Sequence, residues 1–139
     1  MTPPRAALLA ADVAAARRIH PSLTSQAWAL RAKIFEVEAL LEKRVFEVHP
    51  EVSFAALAGR YLTHSKRSWN GQMERRRLLA DAGLRFPDVL TGSAGDVPVA
   101  DVLDAAVAAW SAGRIADGAA ACLPGEPPAA NGRPAAIWF

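Results

Sequence analysis

"RVFEVHPEVSFAALAG", residues 44–59, decides what this chain can build. Val45, Phe46 and Val48 are β-branched or aromatic, and Pro50 cannot donate to a ladder, so the first half reads as a strand that stops at the proline. A period of two places Phe46 and Val48 on one face and Val45, Glu47 and His49 on the other. Glu51 follows at the turn into a short helix, Val52 to Ala58, which Gly59 closes. Two carboxylates and a histidine therefore punctuate a stretch otherwise fit for burial. Charged side chains are seldom buried unless something pairs with them, which marks this stretch as a site or the edge of one.

On the N-terminal side, "HPSLTSQAWALRAKIFEVEALLEKR", residues 20–44, carries apolar residues at Leu23, Ala27, Leu30, Ile34, Val37 and Leu41, in alternating steps of four and three. This spacing predicts an amphipathic helix, N-capped by Thr24 or Ser22. The alanine-rich segment before it predicts another helix, about Ala6 to Ile19. Asp12 interrupts its apolar run and Arg5 is the only early positive side chain, which argues against a secretory signal.

On the C-terminal side, "THSKRSWNG", residues 63–71, has the composition of a loop, and "GQMERRRLLADAG", residues 71–83, that of a helix closed by Gly83. Residues 85–97 read as a connection. Pro98 suits the first turn of a long helix, Val99 to about Cys122. Residues 124–134, "PGEPPAANGRP", read as a polar linker, and "AAIWF" as a last strand. Two strands make a marginal sheet, so the inventory is short of strands.

The 139 residues suit one domain with a real core. Hydrophobic residues make up 52% and charged residues 22%, which is globular, and no apolar run approaches a membrane span. The net charge is only +2, with lysine confined to Lys33, Lys43 and Lys66, so overall charge does not by itself point to nucleic acid. Cys122 is the sole cysteine, which excludes an internal disulfide and makes the cytoplasm the default compartment.

The succession "LTSQAWALRAKIFEVEALL", "FEVHPEVSFAALAG", "HSKRSWNGQMERRRLL", "DVLDAAVAAWSAGRIADG" and "GRPAAIWF" resembles the C-terminal half of the bacterial family called domain of unknown function 429. The resemblance implies an α/β fold of the ribonuclease H-like type, helix-rich in this part, and a predicted nuclease that uses magnesium or manganese. Two departures matter. The family's first strand, with its G-x-D-G type motif, does not precede Pro3, and Ala100 stands where the family often has the first of two paired acids. The expectation is a single partial domain, residues 1–139, with the N-terminal strands missing and no cleavage by the chain alone.

Under that resemblance Glu47 takes the place of the central-strand acid. Glu51, Asp101 and Asp104 are further metal-ligand candidates, because hard cations take carboxylate oxygens. His49 would orient a water or a carboxylate. Each has a plainer reading. Glu47 suits an ion-paired edge strand, His49 a structural hydrogen-bonder, and Glu51 and Asp101 complement helix N-termini. Asp104 lies three residues after Asp101, on the same helical face, and is too far into the helix to be explained so simply. Lys66, Arg67 and Arg75 surround Trp69, a combination suited to phosphate contact and base stacking, although helix-borne arginines usually form a solvated face. The second function class is a non-catalytic nucleic-acid-binding or assembly module, without a membrane partner, that completes its sheet as a homo-oligomer.

Overall fold

The computed structural model describes residues 3–39, 45–130 and 133–139. Their contacts divide into two compact units, Met1–Val45 and Phe46–Phe139. Among the described residues the architecture is helix-rich with short antiparallel strand pairs, a mixed α/β arrangement. No described helix is long and apolar enough to cross a membrane.

The first unit holds α1 (Arg5–Leu8), α2 (Val13–Ile19), α3 (Ser25–Ala29) and α4 (Arg31–Ala39). Asp12 does more than interrupt an apolar run: its side chain accepts from the Ala15 N–H at 2.7 Å, capping α2 and dividing the predicted single helix into two. Thr24, not Ser22, caps α3, accepting from the Ala27 N–H at 3.0 Å. The helix expected over 20–44 is therefore α3 and α4, joined at Leu30, whose backbone stays helical at φ −74° and ψ −7°. Ala7, Ala16 and Leu23 form this unit's core, with Ala27 and Trp28 packed against them. The predicted apolar face is only partly used, since Leu30 and Val37 are about half exposed. Leu41 lies outside the described residues.

The second unit is built on α5 (Pro50–Ala58), α6 (Trp69–Asp81) and α7 (Val99–Ala116). Pro50 occupies the first turn of α5, where its missing N–H costs nothing, and Gly59 ends the helix at φ +65°, which a side chain would resist. Phe54, Leu79, Leu103 and Val107 interlock as the core, one or more from each helix. Ser111 Oγ donates to Ser53 Oγ at 2.8 Å, so the two hydroxyls buried between α5 and α7 satisfy one another.

Two expectations are corrected here. The strand read over 44–49 contributes only one ladder position, a parallel bridge from Val48 to Trp138, with the Trp138 N–H donating to the Glu47 carbonyl at 2.8 Å; Arg44 lies outside the described residues. Its partner β4 (Ile137–Trp138) is just two residues long, which limits the pairing, and the Phe46 ring meets the Trp138 ring edge-on at 5.5 Å. The helix expected to reach Cys122 stops at Ala116, because Gly118 turns left-handed at φ +69° and the Ala119 N–H returns to the Arg114 carbonyl at 2.8 Å. Cys122 instead belongs to β1 (Cys122–Leu123), antiparallel to β4. The linker read over 124–134 carries β2 (Ala129–Ala130) and β3 (Arg133–Pro134), an antiparallel pair; residues 131 and 132 lie outside the described residues.

Because Leu79 is fully buried at the meeting of the three helices, Leu79→Ala is expected to cost about 2–5 kcal/mol, and Val89→Ala, at an exposed position, within about 0.5 kcal/mol of zero. Urea denaturation of both variants checks the contrast.

Candidate functional site

The loop 60–68 joins α5 to α6 and carries the chemistry that the sequence reading splits between acids and bases. It is held from below by a close backbone approach. A side chain on Gly71 would put its Cβ 1.9 Å from the Ser65 carbonyl oxygen, so only glycine lets the loop lie on the first turn of α6. Ser68 caps that turn, accepting from the Gly71 N–H at 3.1 Å and donating its own hydroxyl to the Ser65 carbonyl at 2.8 Å.

Arg75 lies on the same side of α6, one turn after Gly71. Only 2% of it is exposed. Its Nη1 donates to the carbonyls of Gly71 (3.0 Å) and His64 (3.1 Å), its Nη2 donates to Glu51 Oε2 at 2.7 Å, and its guanidinium sits 5.3 Å from the Phe54 ring centre. The sequence reading puts Arg75 on a phosphate. The structure makes it an internal tie between α5, α6 and the loop, since both terminal nitrogens of this enclosed guanidinium are engaged, while its Nε is buried without a partner.

Lys66 makes the second connection. Its Nζ donates to Asp104 Oδ2 at 2.6 Å, joining the loop to α7, and the side chain remains 39% exposed. A third pair, Arg60 Nη2 to Glu74 Oε1 at 2.6 Å, ties the start of the loop to α6. Arg67 is exposed and makes no ion pair among the described residues. Trp69, the first residue of α6, is 75% exposed.

Two open concavities meet at Lys66. One, about 420 Å³, is walled by Glu51, His64, Ser65, Lys66 and Arg75. The other, about 560 Å³, is walled by Lys66, Arg67, Gln72, Asp101 and the start of α7. Asp101 is thus exposed in the first turn of α7, where it also complements the helix dipole. Glu47 and His49 lie on the extended stretch before α5, both exposed, and the His49 carbonyl accepts from the N–H groups of Val52 and Ser53 at the helix start.

Magnesium or manganese would need several carboxylates converging from different elements. Glu51 and Asp104 each keep one buried oxygen without a hydrogen-bond partner, yet each already holds a cation on the other. Among the described residues no three His, Cys, Asp or Glu side chains gather as a cation site. As placed, Glu47, Glu51, Asp101 and Asp104 do not fit a divalent metal. Sequence reasoning misses the pairing of these acids with the nearby bases, and it misses Tyr61, 90% exposed at the start of the loop. The one available signal is Gly71, a glycine inside a helical pattern, which points to a close approach.

The family model described as "Protein of unknown function (DUF429)" matches residues 1–129. No curated protein and no solved structure matches the chain.

Removing the Arg75 side chain leaves Glu51 unpaired and takes a donor from the His64 and Gly71 carbonyls, of which Gly71 still faces the backbone N–H one turn on, so Arg75→Ala is expected to cost about 3 kcal/mol, while Glu51→Gln, which keeps a hydrogen-bond acceptor, costs about 1 kcal/mol. Gly71→Ala forces the loop off α6. Chemical denaturation reports the first pair, and amide exchange confined to 63–68 reports the last.

Proposed function

The chain belongs to the DUF429 family of proteins of unknown function, and from that premise we propose that it binds nucleic acid on the face formed by the loop 60–68, α6 and α7, as the substrate-holding part of a ribonuclease H-like nuclease. One observation carries the reading: Lys66 walls both concavities, and Arg67 stands exposed beside it without an ion pair among the described residues. Lys66 is 39% exposed while Asp104 is only 19% exposed, so a phosphate reaches the ammonium from the solvent side and competes for it with a carboxylate that stays mostly enclosed. Arg67 adds a charge that no ion pair among the described residues takes up, in a concavity it shares with Asp101. Asp104 accordingly acts as a gate on Lys66, holding the ammonium in place until a phosphate takes it.

Cleavage does not follow from these residues. The resemblance implies metal-dependent hydrolysis, but Glu51 and Asp104 as placed are engaged with cations, and among the described residues no group of acids gathers to support a step through a metal. The nuclease assignment rests on the resemblance, and the binding assignment on the loop.

The two roles for Asp104 predict opposite outcomes. If it restrains Lys66, Asp104→Asn raises affinity for a labelled oligonucleotide by up to about fivefold, since the competing charge is gone. As a metal ligand it would instead give thermal stabilisation by manganese in the wild type that the variant lacks. Fluorescence anisotropy and melts with and without manganese separate the cases. Across a salt series, Lys66→Ala combined with Arg67→Ala should flatten the slope of log K against log salt by about 1.5, the loss of two phosphate contacts. No binding by the wild type at low salt would refute the proposal.

A further inference from the structure

Two aromatic rings bracket the loop, and the fold uses neither. Tyr61 follows the Gly59 cap of α5 and is 90% exposed; Trp69 opens α6 and is 75% exposed. Among the described residues neither ring packs against another aromatic or lies under a cation. One exposed ring is ordinary surface and needs no explanation. Two of them at the ends of one short loop, with Lys66 and Arg67 between, make a different pattern.

The loop is also held in place. Its start is tied by Arg60 to Glu74, its middle by the His64 carbonyl to Arg75, and its end by Ser68 over Gly71. The rings therefore stand on a fixed support, so ordering them on binding costs little conformational entropy. Tyrosine, tryptophan and arginine also suit a protein interface, but Lys66 at the middle of the patch does not, since lysine is depleted there. Two cations flanked by exposed rings instead match the requirements of a strand whose phosphates and base faces are both accessible. In a duplex the base faces are stacked on one another and are not available to a side chain.

We infer that the nucleic acid taken at this loop is single-stranded, with unpaired bases stacking on Tyr61 and Trp69 while Lys66 and Arg67 hold the phosphates. This rests on the phosphate-binding reading above and adds the class of strand. Any base offers a ring face, so the preference is for unpaired over paired strands rather than for a sequence.

The test is fluorescence anisotropy at fixed low salt with an oligothymidine of about 12 nucleotides, within the ordinary site size of such platforms, and a duplex of the same length. The single strand is expected to bind about tenfold more tightly than the duplex. Tyr61→Ala and Trp69→Ala should each weaken the single strand by about tenfold and leave the duplex within about twofold, whereas Tyr61→Phe, which keeps the ring, retains affinity. Thermal melts of the variants confirm that the fold is intact, as the exposure of both side chains leads one to expect. Equal affinity for the two strands, or alanine variants that bind as the wild type does, overturns the inference while Lys66→Ala and Arg67→Ala still report on phosphate binding. Absence of binding to either strand overturns both.

Discussion

Arg75 carries a full charge into a place where only 2% of its surface reaches solvent, and the second unit of the molecule is arranged around making that tolerable. Taking a guanidinium out of water is unfavourable by several kcal/mol unless its hydrogens and its charge find partners. Here Glu51 supplies the countercharge from α5, Gly71 supplies a carbonyl from α6, His64 supplies another from the loop, and the Phe54 ring presents its face. These partners come from three segments. The charge is accommodated only when α5, α6 and the loop are all in register, so one side chain couples their positions. Lysine would not serve, because a single ammonium cannot address three acceptors in the fixed fork that a guanidinium provides.

That arrangement determines how the remaining charges behave. Glu51, Glu74 and Asp104 each meet a cation, at 2.7, 2.6 and 2.6 Å, and all three contacts anchor the loop or the helix on which it rests. The pairs differ in one physical respect. Arg75 is enclosed, whereas Arg60 and Lys66 are 56% and 39% exposed against acids that are 16% and 19% exposed, so in these two pairs it is the cation that faces solvent. The enclosed pair fixes structure. The other two orient cations that solvent and salt can still reach.

Local features of this molecule are legible in the sequence, and non-local ones are not. Gly59 and Gly83 end their helices as read, both at positive φ, and Pro98 stands at the N-cap of a helix that starts at Val99 as read, because each acts through its own backbone geometry; Pro50, read as the end of a strand with the helix starting at Val52, is instead the first residue of α5. Family membership is carried by motif order along the chain. Gly118, and with it the true end of α7, escapes such a reading, since alanine-rich sequence continues a helical pattern past the residue that stops it. The strand at Val45 to Val48 has the right residue types, but a strand also needs a partner, and β4 is only two residues long. The pairs that build the site lie 24, 38 and 58 residues apart in Glu51–Arg75, Lys66–Asp104 and Ser53–Ser111. No periodicity reports such a pairing, because it is decided by how the helices pack.

The sequence sorts its chemistry into acids for a metal and bases for a phosphate, as though these were two sites. In the folded molecule they are two halves of one network, in which Glu51 and Asp104 hold Arg75 and Lys66. This changes what each residue type can contribute. A carboxylate that neutralises a lysine is a weaker cation ligand, and the same lysine is a weaker phosphate ligand until the carboxylate is displaced. Burial falls on opposite partners in the two pairs: parting Glu51 from Arg75 would strand the cation, 2% exposed, whereas parting Asp104 from Lys66 would leave the mostly enclosed carboxylate, 19% exposed, without its countercharge. On the proposed reading, a polyanion on this face would meet Lys66 and Arg67, the latter without an ion pair among the described residues, while Arg75 holds the loop in place through α5 and α6.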